Sequence, residues 1–271
     1  MSESSRGGSP HEGMSAARPG RACVSRTDLC AFLDQLLEPR RFEDYCPNGL
    51  QVEGEAQITR MVVGVTASLA LVREAARRGA QAVLVHHGWF WRGDDPRVLG
   101  PRRERLATVL SHGINLIGYH LPLDVHPELG NNACLARQLG WPVGEAIGRD
   151  GLIRMATLET AIDAATLARQ LRVGLEREPL LVGELTRPLR RLAWCTGAAQ
   201  DFLQTAIDAG ADAFVSGEIS ERTTHLAREA GVVYAAAGHH ATERLGVQAL
   251  GQAVAERFGI AVEFVDDPNP V

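Results

Sequence analysis

The sequence predicts an α/β protein with two lobes. Its 271 residues are 45% hydrophobic, which is enough for one large core or two ordinary ones. From Met61 onward, short apolar runs alternate with helical patterns, and the same alternation resumes at Arg191 after a break. This alternation indicates βαβ units around largely parallel or mixed sheets.

The first lobe is expected to follow a disordered tail. Residues 1–24 are assigned to that tail, because up to Gly20 it contains no Leu, Ile, Val or Phe to bury. Order is predicted from Ser25, which fits a helix capping box together with Asp28. The apolar stripe of this helix comprises Leu29, Phe32, Leu33, Leu36 and Leu37. The first lobe is therefore placed at 25–145.

A linking segment and a second lobe follow. Residues 146–189 contain a strand, a helix over 164–171 and a further strand, which is too little for an independent third domain. The second lobe is placed at 190–271 and includes a helix over 221–230. A longer helix after Gly238 and a terminal apolar run, IAVEFVD, complete the chain.

Composition excludes several classes of protein. The formal net charge of -5 provides no basic surface for a nucleic-acid backbone. No apolar run approaches the roughly 20 residues that cross a bilayer, and no secretory signal is evident. The five cysteines are scattered without a C-x-x-C pair, as in a reducing compartment. We therefore expect a cytoplasmic protein with no direct nucleic-acid partner and no membrane partner.

Three polar clusters each follow a predicted strand. HHG follows AVLV, YHLPLDVH follows INLIG, and GHHATER follows VVYAAA. In open α/β sheets, ligands bind beyond the carboxyl ends of the strands, so these clusters are expected to converge. A single HH or H-x-x-x-E pair is more often incidental, but three such clusters at three strand ends are hard to obtain by accident.

The predicted ligands favour a pair of divalent metal ions. His86 and His87 are adjacent in extended backbone, so each is expected to serve a different ion. His239 and Glu243 lie one helical turn apart, and Asp124 adds a carboxylate, although it could instead cap the next helix. Imidazoles and carboxylates without thiolate suit zinc, manganese, iron, cobalt or nickel.

The pattern identifies no catalytic residue. His120 and Glu218 are the candidates: His120 lies four residues before Asp124, and Glu218 follows a predicted strand end. Each has a structural alternative, His120 as a hydrogen-bonding group and Glu218 as a helix-capping group. Arg92 and Arg244 are candidates to neutralise the phosphates of a nucleotide-like substrate.

The chain resembles the GTP cyclohydrolase 1 type 2 homologue family, also described as NGG-interacting-factor-three-like dinuclear metal proteins. The matching motifs span about 27–271 and include YCPNGLQVEG, VLVHHGWFW, YHLPLDVHPELGNNACLA, SGEISERTTH and AAGHHATERLGV. The resemblance implies two intertwined α/β lobes with a dinuclear metal site between them. It also implies a toroidal homohexamer. The ligands implied are His86, His87, Asp124, His239 and Glu243, none of which is substituted here.

Two functions follow as alternatives. The first is a metal-dependent hydrolase, cyclohydrolase-like or acting on a phosphoester, with two divalent ions per chain and a small substrate. The second is a regulatory, scaffold or metal-handling protein that binds metal without turnover. Five protein ligands for two ions leave coordination positions open, which favours chemistry.

Overall fold

The computed structural model describes residues 22–271, and most of the expected disordered tail, residues 1–21, lies outside them. The strands are β1 (Val24–Ser25), β2 (Gly49–Val52), β3 (Gln57–Ile58), β4 (Arg60–Thr66), β5 (Ala82–His87), β6 (Asn115–Gly118), β7 (Glu145–Ile147), β8 (Ile153–Ile162), β9 (Leu180–Gly183), β10 (Leu189–Trp194), β11 (Ala213–Ser216), β12 (Val233–Ala236) and β13 (Ala261–Phe264). The helices are α1 (Arg26–Leu37), α2 (Leu69–Arg77), α3 (Gly100–Ser111), α4 (Leu121–Val125), α5 (Asn131–Leu139), α6 (Ala164–Leu175), α7 (Leu203–Asp208), α8 (Glu221–Glu229) and α9 (His239–Phe258). Within this part of the chain, no helix combines the length and apolar character needed to span a bilayer.

Two mixed sheets organise the fold. The first has the order β13-β4-β5-β6-β2, in which only the edge strand β2 runs antiparallel to its neighbour. The second has the order β7-β8-β10-β11-β12-β9, with a parallel centre of β10, β11 and β12 between antiparallel edges. The α/β class is confirmed.

The chain becomes ordered slightly earlier than the sequence predicts. Val24, assigned to the tail, lies in β1 and pairs with Ile58 of β3, and its side chain is buried. Ser25 is the N-cap of α1, where its side chain accepts a hydrogen bond from the Asp28 amide. The predicted apolar stripe faces the core through Leu29, Leu33 and Leu37. Pairing with a strand more than 30 residues away is a non-local contact that composition does not reveal.

The two lobes are intertwined through the end of the chain. β13 leaves the second lobe and pairs in parallel with β4 of the first sheet. α9 packs its buried Val247, Leu250 and Val254 into the core beneath that same sheet. Residues after the second sheet therefore complete the first lobe, whose buried apolar surface depends on the end of the chain.

The expected linking segment, 146–189, lies within the second sheet. β8 pairs antiparallel with β10, and β9 pairs antiparallel with β12 and is the edge strand on the other side of the sheet. α6 buries Leu167, Leu171 and Leu175 in the core of this lobe. The strand–helix–strand order matches the sequence pattern, but these elements are part of the second lobe: β9 is one edge strand of its sheet, and β8 lies next to the other edge strand, β7.

Candidate metal centre

The polar clusters meet at the carboxyl ends of the strands. His86 and His87 end β5, and Asp124 lies on α4, just after β6. His239 is the first residue of α9 and follows β12, with Glu243 one turn later. β5 and β6 belong to the first sheet and β12 to the second, so the site lies where the carboxyl ends of strands from both sheets meet. Five side chains separated by up to 157 positions come together there beside one cavity of about 580 Å³, here called the metal cavity.

Glu243 stands between two groups of ligands. Its Oε1 lies 3.4 Å from Nε2 of His86, and the same nitrogen lies 3.4 Å from Oδ1 of Asp124. Its Oε2 lies 3.2 Å from Nε2 of His87 and 3.1 Å from Nε2 of His239. The ligand atoms of each group lie within 4.8 Å of one another, so each group can hold a cation.

The adjacent histidines do not point to opposite sides of β5. Their ring centroids are 4.6 Å apart, with the rings tilted by 46°. They nevertheless belong to different groups, because the nearest Glu243 oxygen to His86 is Oε1 and the nearest to His87 is Oε2. The alternation of an ideal strand does not hold at this strand end. Both histidines also belong, with His120, to a further group whose ligand atoms lie within 4.8 Å of one another, so their division between two ions stays a prediction.

Hydrogen bonds at Nδ1 fix the orientation of all three imidazoles. The pairs are His86 with the Tyr119 carbonyl at 3.0 Å, His87 with the Thr66 hydroxyl at 3.1 Å, and His239 with Glu218 Oε1 at 2.6 Å. Each contact leaves Nε2 for the centre of the site. Such partners position metal-binding histidines and increase their basicity, most strongly where the partner is a carboxylate.

Both carboxylates are buried and held from the side. Asp124 is 6% exposed and Glu243 is 3% exposed. The side-chain nitrogen Nδ2 of Asn131 donates to Asp124 Oδ1 at 2.9 Å, and the side-chain oxygen Oδ1 of Asn131 accepts from the backbone amide of Gly246 in α9. Asn131 thereby joins the helix that carries Glu243 to the short helix that carries Asp124.

Gly197 leaves the space that Glu243 occupies. A Cβ at this position would lie 2.1 Å from Glu243 Oε1, and the backbone has a φ of +72° that side-chain-bearing residues rarely adopt. Gly197 therefore has two separate physical reasons to lack a side chain.

The carboxylate charge holds protons on two of the histidines. Burial lowers the pKa of His86, but the carboxylates of Asp124 and Glu243 outweigh burial and raise that pKa to about 9. Burial also opposes the charged form of His239, whose acidic neighbours, led by Glu243, raise its pKa to about 9. Burial lowers the pKa of His87 to about 3. Divalent cations would replace these protons and neutralise the same carboxylates.

The donor set fits transition-metal ions. Glu243 Oε2 is buried and receives no hydrogen bond of good geometry from any residue in the described range, although two imidazole nitrogens lie nearby. A buried oxygen of this kind needs a partner, and a cation between it and the imidazoles would supply one. Neither group contains a thiolate, and three imidazoles with two carboxylates favour zinc, manganese, iron, cobalt or nickel over magnesium or calcium.

The two catalytic candidates have different positions. His120 lines the metal cavity, and its Nδ1 lies 2.7 Å from Oδ1 of Asp44. Asp44 also receives bonds from the Asn48 amide and the Leu121 backbone. Burial alone would raise the pKa of Asp44, but His120 and the other hydrogen-bond donors outweigh burial and lower that pKa to about 2. Glu218 instead contacts the ring of the candidate ligand His239 and does not line the metal cavity.

Sequence patterns did not identify several residues that position the ligands. Three of them contact candidate ligands that are distant along the chain: Thr66 contacts His87 across 21 positions, Tyr119 contacts His86 across 33, and Asn131 contacts Asp124 across 7. Asp44 lies shortly before the PNGLQ turn, and nothing in its local pattern links it to His120. The NN pair in the GNNACLA motif was the one available signal, because an amide at the start of a helix rarely lies buried without a polar partner.

Comparison with known proteins shows which family the chain belongs to. A family model described as Duf34/NIF3 (NGG1p interacting factor 3) matches residues 24–270. A Pseudomonas aeruginosa protein named GTP cyclohydrolase 1 type 2 homolog is 52% identical over 250 residues, covering 91% of this chain and 99% of that protein. A protein of the same name from Escherichia coli K12 is 47% identical over 249 residues, with coverages of 91% and 100%.

Solved structures share the fold. A structure of protein ybgI, described as of unknown function, has a TM-score of 0.88 and 46% identity over 92% of this chain and all of that one. A protein from Thermus thermophilus has a TM-score of 0.85 and 32% identity with the same coverage. Reduced HcgD from Methanocaldococcus jannaschii has a TM-score of 0.81 at 18% identity over 90% and 99% of the two chains, which shows a common fold alone. From the extent of the model match and these identities, we conclude that the chain belongs to the Duf34/NIF3 family.

Proposed function

We propose that the protein is a dinuclear divalent-metal-dependent hydrolase acting on a small, nucleotide-like molecule, by a cyclohydrolase-like or phosphoester reaction. The observation that supports this most is the sharing of Glu243 between two groups of ligands. His86 and Asp124 with Oε1 would hold one ion, and His87 and His239 with Oε2 would hold the other. A carboxylate shared in this way keeps two cations close together.

The cavity favours chemistry over a purely structural role. His87 and His239 line the metal cavity, so a substrate can reach the second group of ligands. Divalent ions bound there would supply Lewis acidity, which lowers the pKa of water and stabilises negative charge on a carbonyl or phosphoryl oxygen. Tyr45, Trp91 and Phe202 contribute aromatic surface to the cavity, which suits a planar ring.

His120 is the residue we assign to contact the substrate. Its Nδ1 is held by Asp44, so Nε2 remains for the cavity that the ring lines. In the neutral tautomer with the proton on Nδ1, Nε2 accepts a hydrogen bond from the substrate. The Trp91 ring packs edge-on against His120, with centroids 5.0 Å apart, and limits its rotation.

The test is metal content followed by turnover. Purified protein loaded with manganese or zinc should contain about two ions per chain by elemental analysis, and should hydrolyse at least one member of a panel of nucleotides, phosphoesters and cyclic amides. Asp124→Asn, purified identically, should lose turnover, which excludes a contaminating hydrolase. Full metal loading with no turnover across the panel would contradict the hydrolase.

A regulatory, scaffold or metal-handling protein is the second candidate. The group formed by His86, Asp124 and Glu243 is almost entirely buried, at 0%, 6% and 3% exposure, which favours an ion that stays in place. Exchange with isotopically enriched zinc measures this directly. Two slowly exchanging ions without turnover would support a regulatory or scaffold role, whereas rapid transfer to a chelator would support metal handling.

We also propose a cytoplasmic homo-oligomer, a toroidal hexamer as the resemblance implies, whose partner is a small molecule. Large apolar side chains are exposed in the second lobe, including Val173 at 71% and Leu180 at 55%, and subunit contacts would bury such surface. Light scattering coupled to size exclusion should give six times the mass of one chain. A monomer at micromolar concentration would contradict the assembly.

A further inference from the structure

A second cavity adjoins the metal cavity. Its volume is about 480 Å³, and one side of it is formed by Arg97, Arg102 and Arg105, so it is called here the arginine cavity. It shares three lining residues with the metal cavity: Thr66, His87 and Trp91. No arginine within residues 22–271 lines the metal cavity itself. The three arginine side chains therefore lie in the neighbouring cavity, and the candidate metal ligand His87 lines both cavities.

The three arginines differ in how far they are neutralised. Arg97 forms an ion pair with Asp95, with Nη2 2.5 Å from Oδ2. Arg102 donates to the backbone carbonyl of Asp95, and its guanidinium carbon lies 5.5 Å from the centre of the Phe90 ring. Among residues 22–271, no carboxylate oxygen lies within ion-pair distance of Arg102. Arg105 has a buried Nε that finds no hydrogen-bond partner among these residues.

The cavity retains a surplus of positive charge. With the Arg97–Asp95 pair set aside, Arg102 and Arg105 face one further carboxylate, that of Asp94. A guanidinium nitrogen that is buried without an acceptor is unfavourable unless a ligand supplies one. Phosphate matches this need, because its oxygens accept two parallel hydrogen bonds from one guanidinium.

We propose that the arginine cavity binds a phosphate group of the substrate, with Arg102 and Arg105 as its ligands, while the reacting part of the same molecule lies in the metal cavity. The second half of this statement rests on the proposed hydrolase function, but phosphate binding does not. Neither arginine favoured by the sequence lines the two cavities: Arg92 donates to the Asp44 backbone, and Arg244 lies 3.7 Å from Asp266.

The experiment is calorimetric titration of inorganic pyrophosphate into metal-free protein. Removing the metal beforehand excludes direct coordination of the probe by ions. Arg105→Gln should weaken pyrophosphate binding roughly tenfold or more, since a charge-assisted contact is lost while most of the side-chain volume remains. Arg105→Lys should restore part of the affinity, because it keeps the charge but not the bidentate geometry.

Arg103→Gln is the matched control. Arg103 lies on the same helix, α3, but is exposed and does not line the cavity, so its substitution should change the affinity less than about twofold. If Arg105→Gln proves unstable by its thermal transition, Arg102→Gln replaces it in the same titration. The absence of pyrophosphate binding at millimolar concentration, or equal affinity in the Arg105 variant and the control, overturns the assignment.

The outcomes also separate this inference from the hydrolase proposal. Arg105-dependent pyrophosphate binding by a protein that hydrolyses nothing would retain the phosphate site and reject the hydrolase. If phosphorylated and unphosphorylated substrates are turned over with an equal KM, and Arg105→Gln does not change it, the hydrolase is retained and the phosphate site is rejected. If both hold, Arg105→Gln should raise KM for the phosphorylated substrate about tenfold and leave its unphosphorylated counterpart unchanged.

Discussion

Replacing Glu243 with glutamine should release both metal ions at once. Oε1 lies 3.4 Å from His86 and Oε2 lies 3.1 Å from His239, so one carboxylate serves both groups of ligands. Glutamine keeps the shape but presents one oxygen and one amide nitrogen, and the latter repels a cation. We therefore expect Glu243→Gln to reduce the metal content from about two ions per chain to near zero.

The size of the effect follows from binding linkage. At free metal about 100 times above the dissociation constant, each ion stabilises the folded chain by about 2.7 kcal/mol, so two ions contribute about 5 kcal/mol. For a chain of this length, that corresponds to a rise in Tm of about 10 °C. Without metal, Glu243→Gln should be less stable than the wild type, because the carboxylate is paired with the protonated imidazoles of His86 and His239, and these buried charges lose that partner in the variant.

The assay compares thermal transitions with and without manganese or zinc, together with elemental analysis. His225→Ala is the control, because His225 is an exposed histidine paired with Glu221 on α8 and distant from either group of ligands. It should show the full rise in Tm. The reasoning is refuted if Glu243→Gln keeps two ions and the wild-type rise, or if the metal-free variant melts no lower than the metal-free wild type.

Three further predictions test the surroundings of the site. Glu218→Gln removes the charge that contacts the His239 ring, so metal affinity should fall roughly 10- to 100-fold when it is measured by competition with a chromophoric chelator. The circular dichroism spectrum should not change. An unaltered affinity would show that the contact is incidental. Gly197→Ala places a Cβ 2.1 Å from Glu243 at a residue with positive φ. Elemental analysis should then show less than one ion per chain, and urea denaturation should show that the free energy of unfolding falls by about 1–3 kcal/mol. Two retained ions would contradict the close approach. Asp44→Asn should lower stability by about 1–2 kcal/mol at pH 7, with solvent screening allowed for. The pKa of Asp44 in the folded chain is lowered to about 2 from an ordinary 3.8, so its charge stabilises the fold above about pH 4 and this stabilisation is lost as pH falls through about 2. The urea midpoints of the variant and the wild type should therefore converge over that range. A difference that stays constant with pH would contradict the charge-based cause.

Local patterns in the sequence predicted most of the elements. Ser25 is the N-cap of the first helix, and the helix expected over 221–230 is observed at Glu221–Glu229. Capping and apolar periodicity depend on residues within one or two turns, so they can be read from a single chain. The role of residues 146–189 could not be read in this way, because an edge strand is defined by a neighbour elsewhere in the sequence.

The candidate ligands could also be nominated, but their arrangement could not. Strand ends followed by histidine and carboxylate indicated which side chains share one edge of the fold. The division into two groups depends on which oxygen of Glu243 faces which imidazole, and that follows from how α9 packs beneath the first sheet. Metal binding by these residues stays a prediction.

By itself, the sequence determined the α/β class and the chemistry available to the protein: three imidazoles, two carboxylates and no nearby thiolate pair. Only the tertiary structure decided that Glu243 is shared, that Asp44 orients His120, and that Arg105 rather than Arg92 lines a cavity beside the site. The physical reason is the distance along the chain between the residues that interact. Secondary structure depends on neighbours along the chain, whereas a binding site depends on side chains that meet only after strands and helices distant in sequence have packed together.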